Sequence, residues 1–148
     1  MNSFAGTAEP SGTPLDKVPQ PGCAKFLGYR CLSVDREAKT VRVSFTASEQ
    51  MLNPRGTVQG GFLTAMLDDT MGSMIVVLTD GAKAPASIDI HTQFIAPAFP
   101  GPVNCEAELV HMTKSTAFTR ASLHDDKNQL IATATQTARL FDLNGAKP

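Results

Sequence analysis

The chain has 148 residues, a formal net charge of −1 and 18% charged residues. This length falls in the commonest range for a single domain that buries most of its surface in one core. The Lys and Arg residues are scattered, so the sequence has no cationic footprint for nucleic acid. No apolar stretch reaches the roughly 20 residues that cross a bilayer, which disfavours a membrane partner.

The two ends of the chain are predicted to lie outside the domain. Residues 1–21 are rich in Gly, Pro, Ser and Thr and lack a basic segment followed by an apolar one. This composition is typical of a disordered lead-in and not of a signal peptide. The domain is predicted to span residues 22–142, and residues 143–148 form a tail.

The three cysteines, Cys23, Cys31 and Cys105, are odd in number, widely spaced and without a CxxC pattern. This usage suits a reducing cytoplasm and argues against a disulfide framework or a zinc site. All three are therefore expected to be buried free thiols.

In chain order, the apolar pattern predicts a hairpin, a long helix and four further strands. Alternating apolar residues and turn-forming segments delimit these elements. The predicted strands are 29–34, 40–46, 86–95, 103–112, 117–123 and 130–141, and the helix is 59–79. One helix and about six antiparallel strands predict an α+β fold in which a curved sheet wraps around the helix.

The predicted helix has an apolar face and a stripe of small residues. Each residue turns the helix by roughly 100°. The apolar face comprises Leu63, Met66, Leu67, Thr70, Met71, Met74 and Leu78. The stripe comprises Asp68, Gly61, Thr64 and Gly72, with Ile75 slightly further round. A carboxylate in a mostly apolar helix is costly to desolvate, so Asp68 is predicted to have a purpose. Asp69 lies off this stripe and is expected to be structural or part of an interface.

The start of this helix is suited to binding an oxyanion. Its first amides lack helical acceptors and carry the positive end of the helix dipole. Gly60 and Gly61 have no side chains to keep a ligand carbonyl from the backbone. Asp68 lies about 10 Å further along the helix axis, at ~1.5 Å per residue. One carbonyl cannot directly touch both groups of one helix, so a second copy of the chain is expected to supply one of them.

The loop and helix together match a known pattern. The chain reads Asn53, Gly56-Thr57, Gln59-Gly60-Gly61 and, after six residues, Asp68; it continues through Ala86-Ser87-Ile88-Asp89-Ile90 and Phe94-Ile95-Ala96-Pro97-Ala98. Over residues 22–141 it resembles the hotdog-fold acyl-CoA thioesterases of the phenylacetate-pathway (PaaI) type. One position departs from that family, because Gln59 stands where the family has histidine. Glutamine exchanges hydrogen bonds but does not titrate.

The resemblance implies an acyl-CoA thioesterase with a hotdog fold and no metal or other cofactor. It implies that the Gly61 amide binds the thioester carbonyl, and that Asp68 of a partner protomer attacks the carbonyl or activates a water. Asn53 would orient substrate or water, Ser87 would position the water, and Gln59 would support Asn53 or the glycine loop. Hotdog domains of this family pair into homodimers by continuing the sheet, and often into homotetramers, so the site is expected at a dimer interface.

The substrate is expected to be an acyl-CoA with an aromatic or medium-chain acyl group. Gly60, Thr64 and Gly72 are predicted to border its carbonyl and acyl parts. The coenzyme A half is expected along the surface at the turn formed by residues 112–117. Lys114, Ser115 and the nearby Arg120 are predicted to meet its phosphates.

Two other functions remain open at this stage. A hotdog hydratase or dehydratase needs an acid–base pair, typically a histidine with a carboxylate, and Gln59 occupies the histidine position. A non-catalytic acyl-CoA-binding protein would lack the carboxylate, whereas Asp68 is present. The histidines at positions 91, 111 and 124 have no metal-ligand spacing, and no role is expected for them.

Overall fold

The computed structural model describes residues 11–143 as a six-stranded sheet packed against one long helix. The strands are β1 (Arg30–Asp35), β2 (Thr40–Ala47), β3 (Lys83–Phe94), β4 (Gly101–Met112), β5 (Thr116–Asp125) and β6 (Leu130–Asp142). The α-helices are α1 (Gly22–Leu27) and α2 (Gly60–Leu78), and two 3-10 helices span Pro14–Lys17 and Glu49–Met51. The predicted α+β hotdog architecture is confirmed.

All neighbouring strands of the sheet are antiparallel, in the order β1-β2-β4-β5-β6-β3. Strand β3 is therefore an edge strand that pairs with β6, the last strand of the chain. Its register shifts between Ser87 and Asp89, a β-bulge that leaves Ile88 unpaired and 63% exposed. The extra residue lets Ser87 and Ile90 face the helix together, although strict alternation would put them on opposite faces.

Helix α2 packs its apolar face on the sheet. Its buried residues are Leu63, Met66, Leu67, Thr70, Met71, Met74, Ile75 and Val77. The predicted buried face is thus largely correct. Ile75, which the sequence analysis placed beside the Asp68 stripe, is fully buried in the core, and Leu78 is only half-buried.

By length and composition alone, α2 could cross a membrane. The expectation that no apolar stretch reaches this length was wrong by that criterion. The core helix of a soluble protein passes the same test, and α2 packs against five of the six strands. The structure therefore describes it as a core helix.

The N-terminal segment, residues 11–21, differs from the predicted disordered lead-in. It contains the 3-10 helix Pro14–Lys17 and packs against α2. Thr13 and Asp16 form a capping box, which satisfies backbone N–H groups within the segment itself. Residues 1–10 of the predicted lead-in and residues 144–148 of the predicted tail lie outside the described residues.

The cysteines also differ from expectation. All three are free, but only Cys105 is buried, whereas Cys31 is half-buried and Cys23 is exposed. Cys23 lies on α1, whose buried residues are Ala24 and Leu27, so its side chain is on the outer side of that helix.

Candidate active site

Asp68 contacts two side chains that the sheet brings to the middle of α2. Its Oδ1 accepts a hydrogen bond from Ser87 Oγ of β3 at 2.7 Å and another from Gln136 Nε2 of β6. The same Gln136 nitrogen lies 3.0 Å from Ser87 Oγ. Asp68 and Ser87 were both predicted as site residues, and the structure brings them together. Gln136 is a third member that the sequence analysis did not single out.

The pattern of β6 contained a signal for Gln136. The buried residues of this strand include Ala132, Ala134, Gln136, Ala138 and Leu140, every second position. Gln136 is 4% exposed and is the one amide in this inward-facing apolar series. Because a buried amide needs hydrogen-bond partners, its position indicates a polar neighbour across the core.

A side-chain oxygen already accepts a hydrogen bond from a backbone amide at the start of α2. Gln59 is the N-cap residue, and its Oε1 accepts a hydrogen bond from the Gly61 N–H at 2.8 Å. This amide is the predicted donor to the thioester oxygen, so the Gln59 oxygen must leave before a substrate carbonyl binds there. The contact associates Gln59 with the glycine loop and not with Asn53.

Both glycines at this terminus lie close to the ends of neighbouring side chains. A Cβ on Gly61 would lie 2.7 Å from Gln59 Oε1, and a Cβ on Gly60 would lie 2.9 Å from the Phe94 ring. Real Cβ atoms essentially never come this close to another heavy atom. Phe94 ends β3 and is 55% exposed, so the helix start lies beside the edge strand.

Asn53 organises the loop that precedes α2. Its Oδ1 accepts hydrogen bonds from the backbone N–H groups of Arg55 and Thr57, and its Nδ2 donates to Thr57 Oγ1 at 2.9 Å. The side chain is therefore engaged in the turn. One N–H of its amide remains for the predicted contact with substrate or water.

A cavity of about 540 Å³ lies next to Asp68. Its polar lining includes Asp68, Asp69, Ser87, Tyr29 and Ser73, and its apolar lining includes Leu15, Val18, Pro19, Val76 and Pro85. Its volume is in the range of small-molecule sites.

The predicted stripe of small residues contributes unequally to this cavity. Gly72 lines it, and a Cβ there would meet only Pro85, at 3.6 Å. Thr64 does not line it, because its hydroxyl points to β3 and donates to Thr92 Oγ1 at 3.2 Å.

Asp69 is another carboxyl group at the cavity, in addition to Asp68 and Asp16. Its Oδ2 is buried and has no hydrogen-bond partner among the described residues. Burial, and to a lesser extent the charge of Asp68, raise the pKa of Asp69 to about 6. Nearby, the Tyr29 hydroxyl donates to Ser73 Oγ at 2.9 Å, and burial raises the pKa of Tyr29.

We expect Asp69→Asn to stabilise the protein at neutral pH. The folded-state pKa of about 6 lies above 3.8, the ordinary value of an aspartate side chain. The folded state therefore holds this proton more tightly, and stability falls as pH rises from about 4 to about 6. At pH 7.5 the variant should melt roughly 2–5 °C higher than the wild type, and the gain should shrink towards pH 4.

Thermal denaturation at both pH values checks this expectation. Asp126→Asn, an exchange on an exposed turn residue, is the matched control and should change the melting temperature little. An equal gain in melting temperature at pH 4 and pH 7.5, or a lower melting temperature at pH 7.5, would contradict the raised pKa of Asp69 as the cause.

The predicted phosphate-binding residues do not lie together. Lys114 and Ser115 are exposed in the β4–β5 turn. Arg120 pairs with Glu108 at 2.8 Å, and it lies four residues beyond the start of β5, roughly 13 Å at ~3.3 Å per residue. Describing Arg120 as near the turn was wrong, because the extended strand carries it away.

Arg120 lines a different cavity, of about 280 Å³, together with His91, Glu106 and Glu108. Among the described residues, no group of His, Cys, Asp and Glu is arranged to hold a metal ion.

The region around this site also matches known proteins. Residues 55–132 match the family model described as the Thioesterase superfamily. A solved phenylacetic acid degradation-related protein from Ralstonia eutropha is 33% identical, with a TM-score of 0.78, over 85% of this chain and 95% of that chain. This chain belongs to the thioesterase superfamily. It is a thioester hydrolase, and the predicted hotdog-fold PaaI type is confirmed.

More distant solved structures share the fold. The PaaI protein of the Escherichia coli phenylacetic acid degradation operon is 22% identical, with a TM-score of 0.74, over 82% of this chain and 86% of that chain. A Streptococcus mutans protein bound to acetyl-CoA is 17% identical, with a TM-score of 0.70, over 79% of this chain and 91% of that chain. No match is found among curated proteins.

Proposed function

We propose that this thioesterase hydrolyses an acyl-CoA to the free acid and coenzyme A, with Asp68 as the catalytic carboxylate. The observation that carries the proposal is the Asp68 carboxylate, held by Ser87 and Gln136 beside a cavity of about 540 Å³. A coenzyme A thioester is the substrate class suggested by the S. mutans relative with bound acetyl-CoA. The relative from R. eutropha, related to phenylacetic acid degradation, makes an aromatic acyl group a reasonable candidate.

The cavity beside Asp68 is the proposed acyl site. Val76 and Pro85 supply apolar surface from α2 and β3, and Leu15 and Val18 supply it from the N-terminal segment. Gly72 leaves space between α2 and β3. An aromatic ring or a medium-length carbon chain fits these dimensions and this lining.

The proposed chemistry divides the reaction between a carboxylate and an amide. The Gly61 N–H, vacated by Gln59, binds the thioester oxygen and stabilises the negative charge that develops on it. Asp68 either removes a proton from the water that attacks the carbonyl carbon, or attacks that carbon itself and forms a mixed anhydride that water then hydrolyses to the free acid and Asp68. The carbon–sulfur bond then breaks, and the thiolate of coenzyme A leaves and takes up a proton. Gln59 cannot carry this proton, since its amide does not titrate.

Two protomers are proposed to form each site. Gly61 and Asp68 lie on one helix, about 10 Å apart along its axis. Strand β3 has 12 residues and one unpaired edge within the described part of the chain. Pairing of two such edges would continue the sheet and bring the α2 start of one protomer towards Asp68 of the other. A homodimer, or a homotetramer of two such dimers, in the cytoplasm is the proposed form.

Thiol release from a panel of acyl-CoAs tests the proposed function. The panel comprises phenylacetyl-, benzoyl-, short-, medium- and long-chain acyl-CoAs, and Asp68→Ala is the control. Release that disappears in the variant supports the proposal and ranks the acyl groups. Binding of acyl-CoA without release from any member would favour a non-catalytic binding protein.

The β4–β5 turn provides a test of nucleotide binding. We expect Ser115→Glu combined with Lys114→Ala to raise KM about tenfold for coenzyme A thioesters, equivalent to ~1.4 kcal/mol, and to leave KM for pantetheine thioesters unchanged. The reason is that the double variant replaces a cation and a hydroxyl with a charge that repels phosphate.

Lys127→Ala, in the exposed β5–β6 turn, is the control for loss of a surface cation. Equal changes in KM for both substrate types would argue against a nucleotide contact at the β4–β5 turn.

A further inference from the structure

Gln136 forms a closed set of hydrogen bonds with Asp68 and Ser87. Its amide nitrogen contacts both Asp68 Oδ1 and Ser87 Oγ, and an amide nitrogen carries two hydrogens, one for each contact. The Ser87 hydroxyl in turn donates to Asp68 Oδ1 at 2.7 Å. Every donor in the set is thus directed at Asp68 or Ser87.

These hydrogen bonds determine which oxygen atoms and lone pairs of Asp68 and Ser87 remain free for the reaction. Asp68 Oδ1 accepts two hydrogen bonds, whereas Oδ2 accepts none from residues 11–143. The Ser87 hydroxyl donates its hydrogen to Asp68, and one lone pair of its oxygen accepts from Gln136. One lone pair of the Ser87 oxygen therefore remains free. A water bound there must donate a hydrogen to Ser87, and it can donate the other to Asp68 Oδ2. Its own lone pairs are then left to face a carbonyl carbon.

From this geometry we propose that Gln136 is a positioning residue for thioester hydrolysis: it orients the Asp68 carboxylate and sets Ser87 as a hydrogen-bond acceptor for water. The inference rests on the proposed role of Asp68. Packing alone does not explain an amide at this position, because its neighbours in the series, Ala134 and Ala138, are apolar and equally buried. A buried amide is costly unless its hydrogen bonds are used.

Two substitutions at this position test the inference. Gln136→Leu keeps side-chain volume and removes the donor. We expect kcat to fall roughly 10- to 100-fold, less than the ~100- to 10,000-fold that a general base contributes as a whole, because Asp68 itself remains, with KM changed less than about twofold. The acidic limb of its pH–rate profile should move to higher pH, because a carboxylate that loses a hydrogen-bond donor holds its proton more tightly.

Gln136→Glu keeps the shape and replaces the donor with a second carboxylate. At pH 8 we expect this variant to be less active than Gln136→Leu, because two adjacent negative charges repel. Its activity relative to Gln136→Leu should rise as pH falls, since a protonated carboxyl group can donate again. The two variants therefore change the pH–rate profile differently: Gln136→Leu moves its acidic limb, and Gln136→Glu adds a loss of activity on the basic side.

Thr119→Val is the matched control. Thr119 is 2% exposed, lies directly opposite Gln136 on β5, and its hydroxyl has no hydrogen-bond partner among the described residues. Its replacement removes a buried polar atom from the same part of the sheet without touching Asp68. We expect kcat and the pH–rate profile to stay within about twofold of the wild type, as for a residue that only packs.

The outcomes separate this inference from the proposed function. If Asp68→Ala is inactive but Gln136→Leu keeps the wild-type kcat and profile, the positioning role is wrong. The positioning role is also wrong if both Gln136 variants lose activity only in proportion to the fall in their melting temperature and keep the shape of the wild-type pH–rate profile. If Asp68→Ala retains activity, the proposed function itself fails. Should Gln136→Leu not fold, the near-isosteric Gln136→Glu still gives the pH test, and an unchanged profile there overturns the inference.

Discussion

Asp68→Ala should lower kcat for thioester hydrolysis at least about 1,000-fold, because it removes the group that attacks or activates water. The fold should persist. Asp68 is half-buried, and Gln136 and Ser87 can still bond to each other across 3.0 Å. We expect the free energy of unfolding to change by only about 1 kcal/mol.

Steady-state thiol release together with a thermal melt measures both expectations. Asp68→Asn is the control for shape, since it keeps an oxygen that can accept from Ser87 and Gln136 and removes the charge. We expect it to be nearly as inactive as the alanine variant. Unchanged turnover in either variant, with the fold intact, would remove Asp68 from the mechanism.

Gly61→Pro should lower kcat roughly 100- to 1,000-fold, the range for losing one donor to a developing oxyanion. Proline lacks the N–H that the thioester oxygen is proposed to accept from. The helix tolerates proline in its first turn, where N–H groups have no helical acceptors. The single intramolecular bond lost is the one to Gln59 Oε1.

Gly61→Ala is the matched control for adding a side chain at this position. Its Cβ would lie 2.7 Å from Gln59 Oε1, and because this oxygen is the end of a flexible side chain, Gln59 can move away. The N–H remains, so we expect kcat within about tenfold of the wild type. Proline and alanine variants of equal activity would contradict the oxyanion role of this amide.

Local periodicity was sufficient to predict most of the fold. The α2 pattern predicts the helix within one residue at each end, and the alternating strands are found with small shifts at their ends. The apolar periodicity does not indicate which strands pair with each other. Here β3 pairs with β6, about 50 residues away in the chain, where a simple meander would pair it with β4.

The site was predictable where its residues are close in sequence and less so where they are distant. Gly61, Asp68 and Gln59 lie on or beside one helix, so spacing relates them directly. Gln136 is 68 residues from Asp68, and only the sheet order brings them into contact. Ser87 faces the helix beside a β-bulge, which alternation cannot anticipate.

Two differences between the sequence-based predictions and the structure have a common physical reason. The N-terminal segment was predicted from composition alone, but Thr13 and Asp16 cap a short 3-10 helix that packs on α2. Arg120 was grouped with Lys114 by closeness in sequence, but an extended strand separates them and pairs Arg120 with Glu108. Composition and closeness in sequence carry no information on the contacts made after folding.

The central claim is that each site combines the Gly61 amide of one protomer with Asp68 of its partner. The most direct test mixes the two inactive variants, Asp68→Ala and Gly61→Pro, after unfolding and refolding them together. A mixed dimer then contains one intact site and one doubly altered site. With random pairing, half of the dimers are mixed, so we expect about one quarter of wild-type activity, by the closed two-fold symmetry of a homodimer. Refolded mixtures that stay as inactive as the separate variants, while forming mixed dimers, would contradict a site shared between protomers.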